Sequence, residues 1–586
     1  MATAPAYNPM ISADACRVWL NALPKADPQA LVATITDALG DLPGRGGMES
    51  LKVLEALRPS VLQYLETLAT RYADKLLPLM PAQATALAVS DGLTRRMADT
   101  YADGIPVSLA ASDEYRKLAA LLHQRAIFWT VQGMIGYLRA RQRVPDDLWN
   151  IARNTLASAE RAGLGDKAVR DSLQPDGQSS AAATYGRGLL LHLCGARSMS
   201  GREFEYTCQI ASYFERKLVL RVHPVGIGGT DSSVAAATAA GSAAKLKIVR
   251  MGDLEHALDV SSLSQSIGGR LAMLNRGSMI EGPPLTPPSP VPVLRSLFGK
   301  LYGAWCTRTN LRRFPRRRRS ETIFCAIDPE LIYGLMKRRP YVAPPPPKVY
   351  NHVEVANIFL GAGEVPFKDQ KPSTESWQQV LGQLDCWQML EESATGLSMQ
   401  RGVGAGNAHV RRGQLAAIRH GTEGTAMVGE IRWAEETGDG RIEIGLEMLP
   451  GLARAGAVRY ADAAAILKSS GRSPSAAALI IDNFKRTRTG ARADSARENN
   501  APPGPANPFD APVALPAIDE QMLTNTGANP TLRNYSEHAS ILLPVGFSRQ
   551  GDVIEFIDGP TSLRLRLRTT AARHGEFERM LFDIVS

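Results

Sequence analysis

Residues 385–402, DCWQMLEESATGLSMQRG, and residues 426–450, AMVGEIRWAEETGDGRIEIGLEMLP, decide how this chain is read. In the second stretch Ile442, Ile444, Leu446 and Met448 alternate with Arg441, Glu443, Gly445 and Glu447, which is the period of a strand with one buried face. The run from Met427 to Trp433 alternates in the same way. Between the two, Gly438-Asp439-Gly440 supplies residues that tolerate positive φ, so the pair forms a hairpin. In the first stretch, CWQML and LSM flank a short polar turn. Together these pieces predict a compact antiparallel barrel or sandwich.

The order of the pieces carries a resemblance. Glu391-x-Ser393-x-x-Gly396 between two strands is followed by Gly413-Gln414-Leu415, Val428-Gly429-Glu430-Ile431-Arg432-Trp433 and Ile444-Gly445-Leu446-Glu447. This order resembles the PilZ domain of bacteria, over the segment from Trp377 to Leu452. The resemblance implies a small β-barrel that binds cyclic di-GMP through two motifs, RxxxR and [D/N]xSxxG. Glu391, Ser393 and Gly396 then fall on the second motif, with a glutamate where the family has Asp or Asn. Two arginines of the first motif would grip phosphates and guanine edges through planar, bidentate contacts. A short way upstream of the turn only Lys368 and Lys371 are basic, and neither has a guanidinium fork. Arg316, Arg317, Arg318 and Arg319 belong to a run with RxxxR spacing, LRRFPRRRR, but lie too far upstream for the family pattern. They reach the turn only if the fold brings them back.

Around this stretch the chain runs to 586 residues, 44% of them hydrophobic, which is more than one core holds. The expected fold class is multidomain α+β: an N-terminal all-α helical domain, a small α/β middle module, and a C-terminal PilZ-like antiparallel β-barrel with additional β-strands. The boundaries read as a helical interaction domain over 1–222, a mixed insert and Pro-rich linker over 223–292, and an α/β module with the arginine run over 293–340. A linker over 341–375, the barrel over 376–484, a disordered linker over 485–510 and a β-unit over 511–586 follow. Helical spacing of Leu51, Leu54, Leu57, Val61 and Leu65 supports the first region, as does the capping box Ser200-x-x-Glu203. In the last, Leu563, Leu565 and Leu567 alternate with Arg564, Arg566 and Arg568.

A net charge of +9 is compatible with anionic partners and decides nothing alone over this length. Six scattered cysteines show no metal-ligand spacing and read as reduced thiols. With no signal-peptide pattern and no apolar run of the ~18 residues needed to span a bilayer, the expected location is the cytoplasm, with no membrane span. No convergent acid, base and nucleophile is found, and the pairs Glu391-Glu392 and Glu435-Glu436 read as solvated, so no catalytic residue, cofactor or metal is expected. His192 and Cys194 in GLLLHLC read as core. The arginine run has only Phe314 interleaved and no nucleic-acid fold signature, which argues against nucleic acid as partner.

Three readings remain open at this stage. The first is a bacterial PilZ-type regulatory protein that binds cyclic di-GMP and passes the signal to a protein partner through the helical domain. The second is a ligand-independent scaffold built on a degenerate barrel. The third is a nucleic-acid-associated protein using the arginine run.

Overall fold

A computed structural model describes residues 8–42, 47–111, 117–175, 177–223, 246–251, 254–277, 285–307, 314–344, 373–402, 404, 406, 408–461, 474–482, 539–559 and 561–585. The architecture is multidomain α+β: a helical N-terminal region, then two antiparallel barrels. By compactness the chain forms two units. The first comprises Met1–Ile323, Asp385–Gly413 and Glu430–Glu447; the second comprises Phe324–Leu384, Gln414–Gly429 and Met448–Ser586.

The helical region is built from α1 (Ala13–Ala22), α2 (Pro28–Ala38), α3 (Met48–Ala69), α4 (Pro81–Ala110), α5 (Ala119–Arg139), α6 (Asp146–Arg161), α7 (Ala181–Leu193) and α8 (Gly201–Phe214). The expected periodicity of α3 is seen, with Leu51, Leu54, Leu57, Val61 and Leu65 all buried. The expected capping box opens α8: Ser200 Oγ accepts from the Glu203 amide, and the Ser200 amide donates to Glu203 Oε2 at 2.8 Å. Helix α5, AALLHQRAIFWTVQGMIGYLR, is buried on nearly every face, because α3, α4, α6 and α7 enclose it. An apolar sequence all round a helix has this outcome.

Among the arginines carried inside with those helices, Arg125, Arg58 and Arg187 are each matched by acids. Arg125 donates from Nε and Nη2 to the two oxygens of Glu55 at 2.9 and 3.0 Å, and from Nη1 to Asp171 Oδ2 at 2.8 Å. Arg58 donates to both Asp171 oxygens. Arg187 pairs with Glu215 at 3.5 Å, and the Phe128 ring lies within 5.2 Å of the Arg58 and Arg187 guanidiniums. Asp171 is fully buried here, so its charge is tolerable only because these donors surround it.

The short pair β1 (Val169–Arg170) and β2 (Gln178–Ser179) is followed by a three-stranded sheet in the order β3 (Val219–His223), β5 (Leu254–Asp259), β4 (Leu246–Met251), and by α9 (Ser261–Asn275) and α10 (Val291–Cys306). Most of the glycine- and alanine-rich insert expected after β3, and the linker expected over 485–510, lie outside the described residues.

Seven strands form the next sheet: β6 (Arg317–Arg318), β7 (Thr322–Ala326), β8 (Asp385–Ser393), β9 (Gly396–Arg401), β10 (Leu415–His420), β11 (Met427–Glu436) and β12 (Ile442–Met448). Their order is β6-β8-β7-β10-β11-β12-β9, and β8 also pairs with β9, which closes the ring. The expected hairpins at 393–396 and 437–441 are both present. In β12 Ile442, Ile444 and Leu446 are buried as read, while Gly445, read on the wet face, is buried too and Met448 is half-buried.

A second closed barrel takes β13 (Leu452–Tyr460), β14 (Ser475–Asp482), β15 (Ser540–Pro544), β18 (Phe577–Val585), β17 (Thr561–Arg573) and β16 (Val553–Asp558) in that order. Here the pairing departs from the expected boundaries. Strands β13 and β14, expected inside the first barrel, hydrogen-bond to β16 and β15 respectively, and β7, expected in a separate α/β module, joins the first barrel. The cause is visible in β14, SAAALIID. Ala478 and Ile480 enter the second barrel's core with Ile541, Phe556 and Leu565, while Ala477, Leu479 and Ile481 pack toward α11 (Pro329–Lys337) and α12 (Thr374–Leu381). A strand buried on both faces reads as a continuous apolar run and carries no hint of which sheet owns it.

Candidate functional site

The arginine run folds back. Strand β6 lies antiparallel on β8, with Arg317 opposite Glu392 and Arg318 opposite Glu391, and the chain stays in register as the Arg319 amide donates to the Leu390 carbonyl at 2.9 Å. The arginines remain outside the spacing of the family pattern, and the condition on which they reach the turn is met: the fold brings them back onto β8. Arg316 Nη1 donates to Glu391 Oε2 at 2.8 Å, and Arg319 Nε donates to Glu392 Oε2 at 3.0 Å. Arg317 and Arg318 are exposed. Lys368 and Lys371 lie outside the described residues, as do Arg312 and Arg313.

The turn beside them is a two-residue hairpin in which Ser393 pairs with Gly396, and Ser393 Oγ donates to the Gly396 carbonyl at 2.9 Å. Gly396 is required by a close approach, since a Cβ there would lie 2.2 Å from the Leu446 carbonyl oxygen of β12. A bulge at Leu390 lets Met389 face the core while Glu391 and Glu392 turn toward the arginines. Glu391, Ser393, Gly396 and the arginine strand thus share one corner of the barrel.

Sequence reasoning missed two features near this corner. Along β8 and β9 a cleft of about 390 Å³ is lined by Thr322, Gln388, Gln400, Arg401 and Arg441, among others. Its wall carries an amide pair, with Gln400 Nε2 donating to Gln388 Oε1 at 2.7 Å, and Gln388 in turn reaches Ser320 Oγ at 3.5 Å, directly after the arginine strand. Behind it Arg401 is buried in an ion pair with Asp385 and lies 5.0 Å from the Trp387 ring centroid. The signal available was the position of Arg401 at the end of the alternating LSMQR run.

The second feature joins the barrel to the helical region inside the first unit. Leu77 and Val410 exchange two backbone hydrogen bonds of 2.8 Å, and Glu436 bonds through its amide to the Arg141 carbonyl and through its carbonyl to the Arg143 amide. Gln142 Nε2 donates to Glu436 Oε2 at 2.9 Å, and the Arg197 guanidinium sits 4.0 Å above the Trp433 ring and 3.4 Å from Glu435. Burial pushes the carboxyls of Glu435 and Glu436 above the ordinary glutamate range. The pair read from sequence as solvated is therefore part of an interface.

One transverse row connects the arginine corner to this interface. Arg318 is opposite Glu391, Glu391 opposite Ser398, and Ser398 opposite Gly445. A Cβ at Gly445 would lie 2.0 Å from Trp433 Nε1, the indole that carries Arg197. Among the described residues no group of three His, Cys, Asp or Glu side chains is placed to hold a metal ion, and no helix is long and apolar enough to cross a membrane.

A comparison with curated proteins gives no match. A comparison with protein families matches residues 14–224, which take in α1 to α8 and β3, to the family described as "Cyclic-di-GMP receptor FimW, N-terminal domain". The helical region of this chain is thus similar to the N-terminal domain of a cyclic-di-GMP receptor.

Proposed function

We propose that the chain is a PilZ-type regulatory receptor of the bacterial cytoplasm. It binds cyclic di-GMP at the corner of its first barrel and passes occupancy to a protein partner through the helical domain. The observation that carries this reading is the arginine strand laid along β8 beside the Glu391 to Gly396 turn. The family similarity of residues 14–224 supports the same ligand from an independent part of the chain.

The ligand brings two phosphates and two purines. Arg316 and Arg319 are held in place by carboxylates that a phosphate can replace, and Arg317 and Arg318 add exposed positive charge. Exchange of Glu391 and Glu392 for phosphate on these guanidiniums costs little, because both pairs are about one-third exposed. Ser393 offers a hydroxyl at the turn, and Gly396 lets β12 approach. The Gln388 and Gln400 amides, along the same face, have the donors and acceptors that a purine edge requires. Movement of Glu391 on binding would act at one end of the row that finishes at Trp433 and Arg197. Binding shifts the helical domain only if it favours one arrangement of that row.

Titration of cyclic di-GMP into the full chain tests this. Binding of about micromolar strength, weakened at least tenfold by Ser393→Ala and lost when Arg316 to Arg319 become alanine, is the expected result. No binding to the folded chain overturns it. The second reading, a ligand-independent scaffold, would then stand, favoured by the fact that Arg316 and Arg319 already have acid partners.

A further inference from the structure

In the second unit a buried cation lies unmatched. Arg419, at the end of β10, is only 4% exposed, yet among the described residues no acid side chain accepts from it. Arg419 Nη2 donates to the Leu335 carbonyl at 2.8 Å, and among the described residues its Nε and Nη1 have no acceptor. Every other buried arginine described above has a carboxylate. The Arg419 guanidinium lies 5.3 Å from the Trp377 ring centroid, and Arg338 lies 5.9 Å from the same centroid. Trp377 is itself buried, and among the described residues its indole N–H also lacks an acceptor. Two guanidiniums and an indole, with three orphaned donor atoms between them, are gathered in one place.

The local fold holds them there. Arg338 caps α11 in the left-handed conformation at φ 59°, and its carbonyl accepts from Ser376 Oγ of α12 at 3.4 Å, which ties Arg338 to the helix that carries Trp377. Among the described residues the cluster is paired with Glu423, 83% exposed, whose carboxylate reaches Arg338 at 3.4 Å. Burial, then the charge of Arg338, pushes the Arg419 guanidinium below its ordinary range, and Glu423 offsets this in part. A charged group desolvated beside a like charge is costly unless something negative completes the set.

We propose that Arg419, Arg338 and Trp377 form a binding site for an oxyanion, the phosphate or carboxylate group of a small ligand. The site is separate from the arginine strand. The anion takes the place of the Glu423 carboxylate on Arg338 and supplies the acceptors that Arg419 lacks. Glu423 already stands largely in solvent, so its carboxylate leaves Arg338 to an incoming anion at little cost.

Calorimetric titration of inorganic phosphate, and separately of acetate, into the full chain at fixed ionic strength tests the proposal and distinguishes the two anion classes. Saturable binding of either anion is expected. It should fall at least tenfold in Arg419→Met, rise severalfold in Glu423→Gln, and persist when Arg316 to Arg319 are changed to alanine. No binding of either anion, or binding undiminished in folded Arg419→Met, overturns it. Should Arg419→Met fail to fold, Glu423→Gln decides: unchanged affinity overturns the site, and increased affinity supports it.

Discussion

The helical domain and the barrel corner use the same chemistry, arginine against carboxylate, at opposite ends of the exposure scale. Arg125 and Asp171 meet with side chains at most 2% exposed, whereas Arg316 and Arg319 meet Glu391 and Glu392 in pairs about one-third exposed. The buried set is a fixed frame. At its centre Asp171 has no water to fall back on, so removing it strands Arg58 and Arg125. The exposed set is an exchangeable contact, because water or a phosphate can substitute for either partner at small cost. Burial, more than residue type, separates the arginines that hold the fold from those available to a ligand.

The largest effect should come from breaking the buried set. Asp171→Ala is expected to cost about 3–5 kcal/mol, read by denaturant unfolding followed by circular dichroism, because Arg58 and Arg125 lose their shared acceptor. A loss below about 1 kcal/mol would erase the contrast. Next comes the row between the two regions. Gly445→Val forces a side chain into Trp433 and should cost about 1–3 kcal/mol as the indole moves from beneath Arg197. The same change should alter cyclic di-GMP affinity if the row couples the regions, and leave it alone if it does not.

A pH experiment sharpens the comparison further. Burial raises the Glu55 carboxyl, but the hydrogen bond and charge of Arg125, with the charge of Arg58, outweigh it and hold the group below 4.5. The folded chain therefore binds fewer protons than the unfolded chain just below that value. The stabilisation is complete above it and is lost as pH falls through the lower, folded value. Unfolding midpoints measured across about pH 5 to 3 should drop in the parent chain and drop less steeply in Glu55→Gln. Smallest of all, Arg316→Ala should change stability by less than about 1 kcal/mol while weakening cyclic di-GMP binding. An equal loss in both would mean that the exposed pair is structural.

Local pattern made half of this legible. The apolar face of β12, the alternation in β17, the turn at Glu391 to Gly396 and the capping box at Ser200 each depend on neighbours a few residues away, and each took the form read from sequence. The pairing of Arg317 and Arg318 with Glu392 and Glu391 spans more than 70 residues and involves a strand too short for any period, so nothing local announces it. Ownership of β14 was hidden for a related reason, since both of its faces are apolar and two cores claim it. Arg125 sits inside AALLHQRAIFW, and the apolar surroundings on every side were the available sign that its charge must be matched internally. Arg419, in LAAIRHG, carried the same sign.

The brevity of β6 also bears on how the molecule behaves in a crowded solution. A sheet edge invites another chain to add a strand, and strands in such a pairing lie ~4.8 Å apart. Here the edge is two residues long, both arginine, with an arginine on each side. A second copy docking on it would stack guanidiniums against guanidiniums, so the segment proposed to receive an anionic messenger also keeps like barrels from polymerising edge to edge.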